Sequence, residues 1–267
     1  MSYTKKRKRL TIENDDSPKQ TSRELRSVKT VNALPFQEFI ERFVPRYALD
    51  LRLPPDVDNG VPSSDTEEGI SSSSRYTMEF YTAASIPDVS LQECFELIRL
   101  TSSEDYKNSS SGWSPKKKKK EMKLKDMKYI VLVPENKDAL VRTFEKDGTQ
   151  LTIGGFLSFM VTHEDGIPVL YCYEIHLAPD VQGKGMGKQL VRVFNDIGYN
   201  IALDKGMLTV FKSNKGAIEF YERRGFTEDE FSPRRTKLRN GKTKEYDYMI
   251  MSISFMDRNA KQEDTQN

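Results

Sequence analysis

The stretch YCYEIHLAPDVQGKGMGKQLVRVF, residues 171–194, changes its hydrophobic period partway along. Up to Leu177 it alternates like a strand. Beyond Gly187, the residues Leu190, Val193, Phe194, Ile197 and Ile201 recur at helical spacing on one stripe. Gly183, Gly185 and Gly187 stand between the two. A strand that runs through glycines into an amphipathic helix must pack that helix against its own sheet. It also leaves backbone N–H groups at the positive helix end, where a phosphate can approach. The nucleotide-triphosphate loop needs four residues between its first glycine and Gly-Lys, then Ser or Thr. Here Gln189 follows Lys188, and the first glycine is misplaced. The dinucleotide fingerprint Gly-x-Gly-x-x-Gly fails as well, because these glycines alternate. A tight turn without a ligand is the competing reading.

The surrounding segments predict a mixed sheet with helices on its faces. Tyr76, Met78 and Phe80 alternate, and YIVLV at 129–133 is a short strand. LTIGGFLSFMVT (151–162) and PVLYCYEIHL (168–177) are two longer strands joined through Asp165-Gly166, a hairpin signal. MLTVF (207–211) and YDYMIMSISF (246–255) are further strands, and NKGAIEFYERRGF (214–226) is a short helix stopped by Gly225. Leu34, Phe36, Phe39, Ile40, Phe43 and Val44 mark a helix that ends before Pro45. Leu91, Cys94, Phe95 and Ile98 share one face of another, with Ser90 as its N-cap and Glu93 at the capping-box position.

With 267 residues, 36% hydrophobic and 31% charged, the chain supports one core plus polar tails. Residues 1–30 form an expected disordered tail whose KKRKR cluster suits nuclear import. Residues 31–75 hold a helix and then a Pro-, Ser- and acid-rich mobile loop; 76–256 form the main domain, and 257–267 a second tail. A net charge of +2 excludes a whole-molecule field for DNA or membrane. Nucleic acid is therefore expected to be touched indirectly if at all. Cys94 and Cys172 sit in apolar patterns and read as reduced core residues, and with only two histidines no metal site is expected. No apolar run reaches membrane-spanning length and no signal-peptide core is evident, so a soluble, intracellular, monomeric protein is expected. Lys116 to Lys120 read as a solvated run. Tyr106 and Trp113, aromatic residues flanking a polar loop, are candidates for capping a groove.

The spacing Gln182-x-x-Gly185-x-Gly187 resembles the pyrophosphate loop Gln/Arg-x-x-Gly-x-Gly/Ala of the GNAT family of acyl-CoA-dependent N-acetyltransferases. TVFKSNKGAIEFYERRGF (209–226) resembles the second signature of that family. Within it, VLYCYEIHL, MLTVFK, DEFSP and YDYMIMS resemble the NatD group, over about residues 75 to 255. The resemblance implies an α/β GNAT fold, with a mixed, mostly antiparallel sheet splayed at the acetyl-CoA site. It implies that the backbone of Ile175, His176 and Leu177 pairs with the acyl arm. Gly183, Lys184, Gly185, Met186, Gly187 and Lys188 would hold the pyrophosphate, and Thr209 and Asn214 would also touch CoA. It assigns Glu174 as the base, which needs a β-bulge to face Glu174 and its neighbouring tyrosines the same way. Burial among apolar neighbours is expected to raise the pKa of Glu174. Competing with that role is an ordinary strand glutamate that faces solvent or a lysine.

The resemblance to the NatD group implies acetylation of the α-amine of Ser-Gly-Arg-Gly tails, as on histones four and 2A, in nucleus and cytoplasm. Tyr106, Tyr173 and Tyr248 match its peptide-contacting tyrosines. Its arginine-reading acid is replaced here by Thr162, followed by His163, Glu164 and Asp165. Glu164 is the expected arginine partner, with the hairpin turn as the competing explanation of both acids. Tyr221 stands where many relatives have a general acid, and core packing explains it equally well. A lysine or small-amine acetyltransferase, or a non-catalytic tail-binding module, is the alternative.

Overall fold

The computed structural model of the chain describes residues 28–49, 76–135, 142–144, 148–237 and 243–256. The KKRKR cluster, the loop at 54–75 and residues 257–267 lie outside them. Seven strands form the main sheet: β1 (Tyr76–Thr82), β2 (Lys128–Pro134), β5 (Gly155–Glu164), β6 (Ile167–Leu177), β7 (Lys205–Phe211), β8 (Thr227–Glu228) and β11 (Tyr248–Ser254). Their order is β1-β2-β5-β6-β7-β11-β8. Two small hairpins stand apart, β3 (Arg142–Phe144) with β4 (Thr149–Leu151), and β9 (Thr236–Lys237) with β10 (Thr243–Lys244). The described helices are α1 (28–33), α2 (Phe36–Phe43), α3 (Arg46–Leu49), α4 (Asp88–Asn108), α5 (Pro115–Met122), α6 (Met186–Ile201) and α7 (Lys215–Glu222).

All strand pairs in the sheet are antiparallel except β6 with β7. The crossover between those two is α6, as a parallel pair requires. Asp165 (φ 48°) and Gly166 (φ 88°) close the β5–β6 hairpin with two positive φ values, the turn chemistry expected of Asp-Gly.

Helices cover both faces of the sheet. On one face the Phe159 ring lies 6.4 Å from Phe39 of α2 and 6.2 Å from Phe194 of α6. The Tyr47 hydroxyl donates to Asp196 at 2.7 Å and the Asn200 amide to the Phe43 carbonyl at 2.9 Å, which ties α2 and α3 to α6. On the other face, α4 and α5 meet β2 and β6. Tyr129, buried in β2, donates its hydroxyl to the Met122 carbonyl at the end of α5. Cys94 and Cys172 are buried free thiols.

Two local expectations change. Helix α4 begins at Asp88, directly after Pro87, so Ser90 is inside its first turn and not its N-cap. Proline before the first turn already fixes the entry, and its missing N–H costs nothing there. Glu93 is freed from capping and instead accepts from the Thr152 backbone at 2.7 Å and from its hydroxyl at 2.9 Å, joining α4 to the approach of β5. The strand predicted over 151–162 is interrupted: Leu151 ends β4, residues 152–154 break the ladder where Thr152 meets Glu93, and β5 starts at Gly155.

Phe39 is 1% exposed and joins α2 to Phe43 and Phe159. Phe39→Ala should remove about 3–5 kcal/mol of stability. Urea unfolding should show this as a lower midpoint with an unchanged m-value.

Candidate active site

Residues 169–172 of β6 pair with 205–208 of β7, and there the ladder stops. Both strands continue, β6 to Leu177 and β7 to Phe211, so they diverge. On its other edge β6 stays paired with β5 through Leu177. The backbone of Tyr173 to Leu177 thus has its β7-facing edge unpaired by any strand among the described residues. An extended amide-bearing group could add there as a short strand.

A β-bulge sits at the start of this open segment. Ser158 faces Glu174 while Phe159 faces Cys172, so Tyr173 is the extra residue. Side chains alternate along β5, so Phe156, Ser158, Met160, Thr162 and Glu164 share one face. Their partners include His176, Glu174 and Tyr171. The bulge therefore brings Glu174 and His176 onto the same face as Tyr171, under α4 and α5. The Tyr173 ring follows, 5.4 Å from that of Tyr171.

Glu174 is 8% exposed and its partners come from three elements. Lys118 of α5 donates to Oε1 at 2.6 Å, Tyr106 of α4 donates to the same oxygen at 3.2 Å, and His176 Nε2 lies 2.7 Å from Oε2. Lys118 also reaches the Tyr106 hydroxyl at 2.9 Å and Glu121 at 2.8 Å. Burial pushes the Glu174 pKa up, yet the Lys118 ammonium beside it outweighs this and holds the carboxyl well below the usual range. For Lys118, burial likewise disfavours charge, and Glu174 with its neighbours holds the ammonium well above its ordinary value. The sequence-based expectation of a raised Glu174 pKa is thereby corrected. A charge-assisted bond from a buried ammonium overcomes the desolvation that the apolar neighbours impose.

Lys118 is the residue that sequence reasoning missed. The run at 116–120 is no uniform solvated stretch, since Lys118 is only 4% exposed. Ser114 caps α5 and Pro115 opens it, and a helix turns one lysine in the run inward. Lys119 fixes the orientation by lying 4.4 Å above the Phe95 ring and donating to Gln92 at 2.9 Å. The available signal was Ser-Pro followed by a charged run ending in Met122.

The glycine loop closes the other end of the cleft. Gly183 and Gly185 both have φ of 77°, and a side chain there would meet open space. These two use glycine for backbone shape and leave the surface clear. Gly185 is the N-cap of α6 and offers no side-chain cap, so the first N–H groups of a sixteen-residue helix are free for an anion. Lys184 and Lys188 are exposed beside them. Gln182 donates its amide to the Leu177 carbonyl at 3.1 Å, pinning the loop to the end of β6. These features fit the pyrophosphate of CoA. Gly187 and Met186 are buried, and a Cβ on Gly187 would lie 3.2 Å from the Phe220 ring, so that glycine permits close packing of α6 on α7.

The other sequence candidates separate into groups. Tyr106 is in the Glu174 cluster, with its ring 5.5 Å from Trp113 and 5.1 Å from Phe211. Thr162 and Glu164 lie on the Glu174 face, whereas His163 projects to the opposite face, with its Nε2 buried and unpartnered. Burial, then Glu164 and Glu121, push the Tyr173 phenol up to about 12, so those acids act across the same space. Thr209 is exposed just past the last β6–β7 pair, 2.5 Å from the Tyr171 hydroxyl. Asn214 caps α7 by accepting from the Ala217 N–H. Tyr248 pairs with Phe211 across β11 and β7. Tyr221 is buried beside Phe220 and Phe226; burial, then Cys172 and Glu174, push its phenol up.

A family model for the acetyltransferase (GNAT) family matches residues 98–226, from α4 to the turn after α7. N-alpha-acetyltransferase 40 of Saccharomyces cerevisiae is 28% identical over 197 residues, covering 65% of this chain. The match spans 64% of that relative's length. Among solved structures, the ribosomal-protein-S18-alanine N-acetyltransferase from Escherichia coli is 17% identical, with a TM-score of 0.43 over 67% of this chain and 94% of that one. The PaiA N-acetyltransferase from Thermoplasma acidophilum, in complex with coenzyme A, is 16% identical, with a TM-score of 0.41 over 67% and 99%.

Lys118→Met would leave the Glu174 charge buried with one counter-charge fewer, at an expected cost of about 3–5 kcal/mol near neutral pH. The pH dependence has a definite sign. A carboxyl whose folded pKa is depressed stabilises the fold above its unfolded pKa of about 4.3, and that stability is lost as pH falls toward the folded value. Urea unfolding at pH 7 and pH 3 should therefore show a smaller acid-induced loss in Lys118→Met than in the native chain.

Proposed function

We propose that the chain, which a model of the acetyltransferase (GNAT) family matches over residues 98–226, moves the acetyl group of acetyl-CoA onto the α-amine of a protein N-terminus. The observation that carries this reading is the ionised Glu174 carboxylate, buried beside the point where β6 leaves β7. The likeness to N-alpha-acetyltransferase 40 of Saccharomyces cerevisiae supports an α-amine as acceptor.

Acetyl-CoA supplies an acetyl thioester. The residues of the chain have three tasks around it. The N–H groups at the start of α6 and the clear surface over Gly183 and Gly185 receive the pyrophosphate. The open edge of Tyr173 to Leu177 aligns the amide arm along β6, directing the thioester toward the bulge. Glu174, directly or through one water, removes a proton from the attacking nitrogen.

An α-amine suits such a site. Its pKa is near 8, against about 10.4 for a lysine side chain, so roughly a tenth is already neutral at pH 7. The proton acceptor can therefore be weak. Tyr106 and Tyr173 would border the entering peptide, and the finer reading is a Ser-Gly-Arg-Gly tail, as on histones four and 2A. Glu164, on the Glu174 face, would pair with its arginine. Such substrates would be met in nucleus and cytoplasm, where the basic cluster at 5–9 would support import.

Ser-Gly-Arg-Gly peptides with free and with blocked α-amines separate the readings. Labelled acetyl should enter only the free peptide, and equal labelling of both would replace this reading with a side-chain acetyltransferase. Glu174→Gln should lower kcat by about 10²-fold or more, while calorimetry shows acetyl-CoA affinity within a few-fold of the native chain.

A further inference from the structure

A carboxylate held as low as Glu174 is a weak base that keeps a proton poorly, and the hydrogen-bond inventory around His176 supplies a second place for that proton. Thr101 Oγ1 is 2.8 Å from the Leu97 carbonyl oxygen and 2.6 Å from His176 Nδ1. A hydroxyl has one proton. Two oxygens 2.8 Å apart need it between them, because the carbonyl has none to give. Thr101 therefore accepts at Nδ1, and that nitrogen carries hydrogen. His176 Nε2 then faces Glu174 Oε2 at 2.7 Å, two atoms that both accept unless a further proton lies between them.

We propose that the proton released by the substrate α-ammonium comes to rest between Glu174 and His176 Nε2, so that these two side chains act as one proton-accepting unit. This rests on the α-amine reading above. His176 is a positioning residue that works through Glu174. The N–H bond of the ammonium breaks with its electron pair left on nitrogen, the proton is taken up by the carboxylate and passes to Nε2, and Nδ1–H remains on Thr101. The freed electron pair then forms the C–N bond as the C–S bond breaks, the second nitrogen proton passes to the departing thiolate of CoA, and the proton on Nε2 leaves to solvent as the one proton released overall.

The setting supports a unit of this kind. His176 is 8% exposed, its ring tilted against Phe156 at 5.7 Å, with a polar neighbour at each ring nitrogen. The charged and titratable groups around the pair are Lys118 and Glu121 of α5, Tyr106 of α4, Tyr129 of β2 with Cys94 of α4 close to it, Cys172 of β6 and Tyr221 of α7. Lys118 is the decisive neighbour, since its ammonium on Oε1 opposes the uptake of a proton and keeps the unit from holding one permanently. The family resemblance gave His176 a backbone role only; the bulge that turns Glu174 inward also turns the His176 ring to the same face.

Ring-nitrogen NMR of the full chain reads the unit without any substrate. The chain has two histidines, so His163→Gln assigns the signals. The neutral His176 ring should carry its hydrogen on Nδ1. A neutral ring with hydrogen on Nε2 would overturn the proposal. In the peptide assay, kcat of the native chain should rise with pH. His176→Gln should lower kcat about 10²-fold, abolish that rise and leave acetyl-CoA binding intact. Native kcat and pH profile in a His176→Gln chain that melts and binds acetyl-CoA normally would also overturn it. A native chain that acetylates neither peptide would defeat the α-amine reading alone, with the tautomer still deciding the proton unit.

Discussion

Lys118 and Glu174 meet 2.6 Å apart from positions 56 residues distant in the sequence, and both are nearly withdrawn from water. Desolvating two charges costs several kcal/mol for each ion, and their attraction offsets this only when the remaining hydrogen-bonding capacity is filled. Most of it is filled: Lys118 and Tyr106 donate to Oε1 of the carboxylate, and Glu121 and Tyr106 complete the ammonium. The pair therefore fixes α5 against β6 and, through Tyr106, fixes α4 as well. Replacing it with apolar groups would cost the fold little, and its value lies in holding an ionised carboxylate at one defined place on the sheet.

The rest of the site follows from how β6 is used on its two edges. Antiparallel pairing with β5 runs the whole length of the strand, so β6 keeps its position when the parallel partner departs after Cys172. A strand unsupported on both edges would have no reason to stay extended. One extra residue at Tyr173 then changes which side chains face α4 and α5, while the backbone beyond it stays open toward β7. Backbone and side chains of the same five residues thus face different surroundings: the peptide groups have an open edge toward β7, and Glu174 and His176 turn toward α4 and α5.

Much of this was legible in the sequence where local physics decides. Alternation in PVLYCYEIHL, the Asp165-Gly166 turn and the helical stripe from Leu190 to Ile201 define strand, hairpin and crossover helix before any tertiary contact is made. The glycine loop was legible because positive φ at Gly183 and Gly185 is a backbone requirement, independent of packing. Gly187 shows the limit: it shares the motif, but its lack of a side chain serves the Phe220 ring, a neighbour 33 residues away in sequence that no local rule indicates. Lys118 was hidden for a related reason. Five lysines in a row have no hydrophobic period, so nothing along the run marks the one that points inward. The Ser-Pro entry and the Tyr129 bond to Met122 set that phase, and only the first of these is local.

The bulge also separates what the fold fixes from what the individual chain adds. A carboxylate at 174 needs a cation and donors, which α4 and α5 bring. A histidine two residues on is a separate choice, because any side chain that fits beneath Phe156 and Thr101 would preserve the strand. Geometry nevertheless couples the two. Residues 174 and 176 stand side by side on the same face of β6, so a titratable ring at 176 must share hydrogen bonds with the carboxylate at 174, and Thr101 determines which ring nitrogen is left to share. A hydroxyl on α4, bonded back to its own helix, thereby sets the proton chemistry of a strand it touches at a single atom.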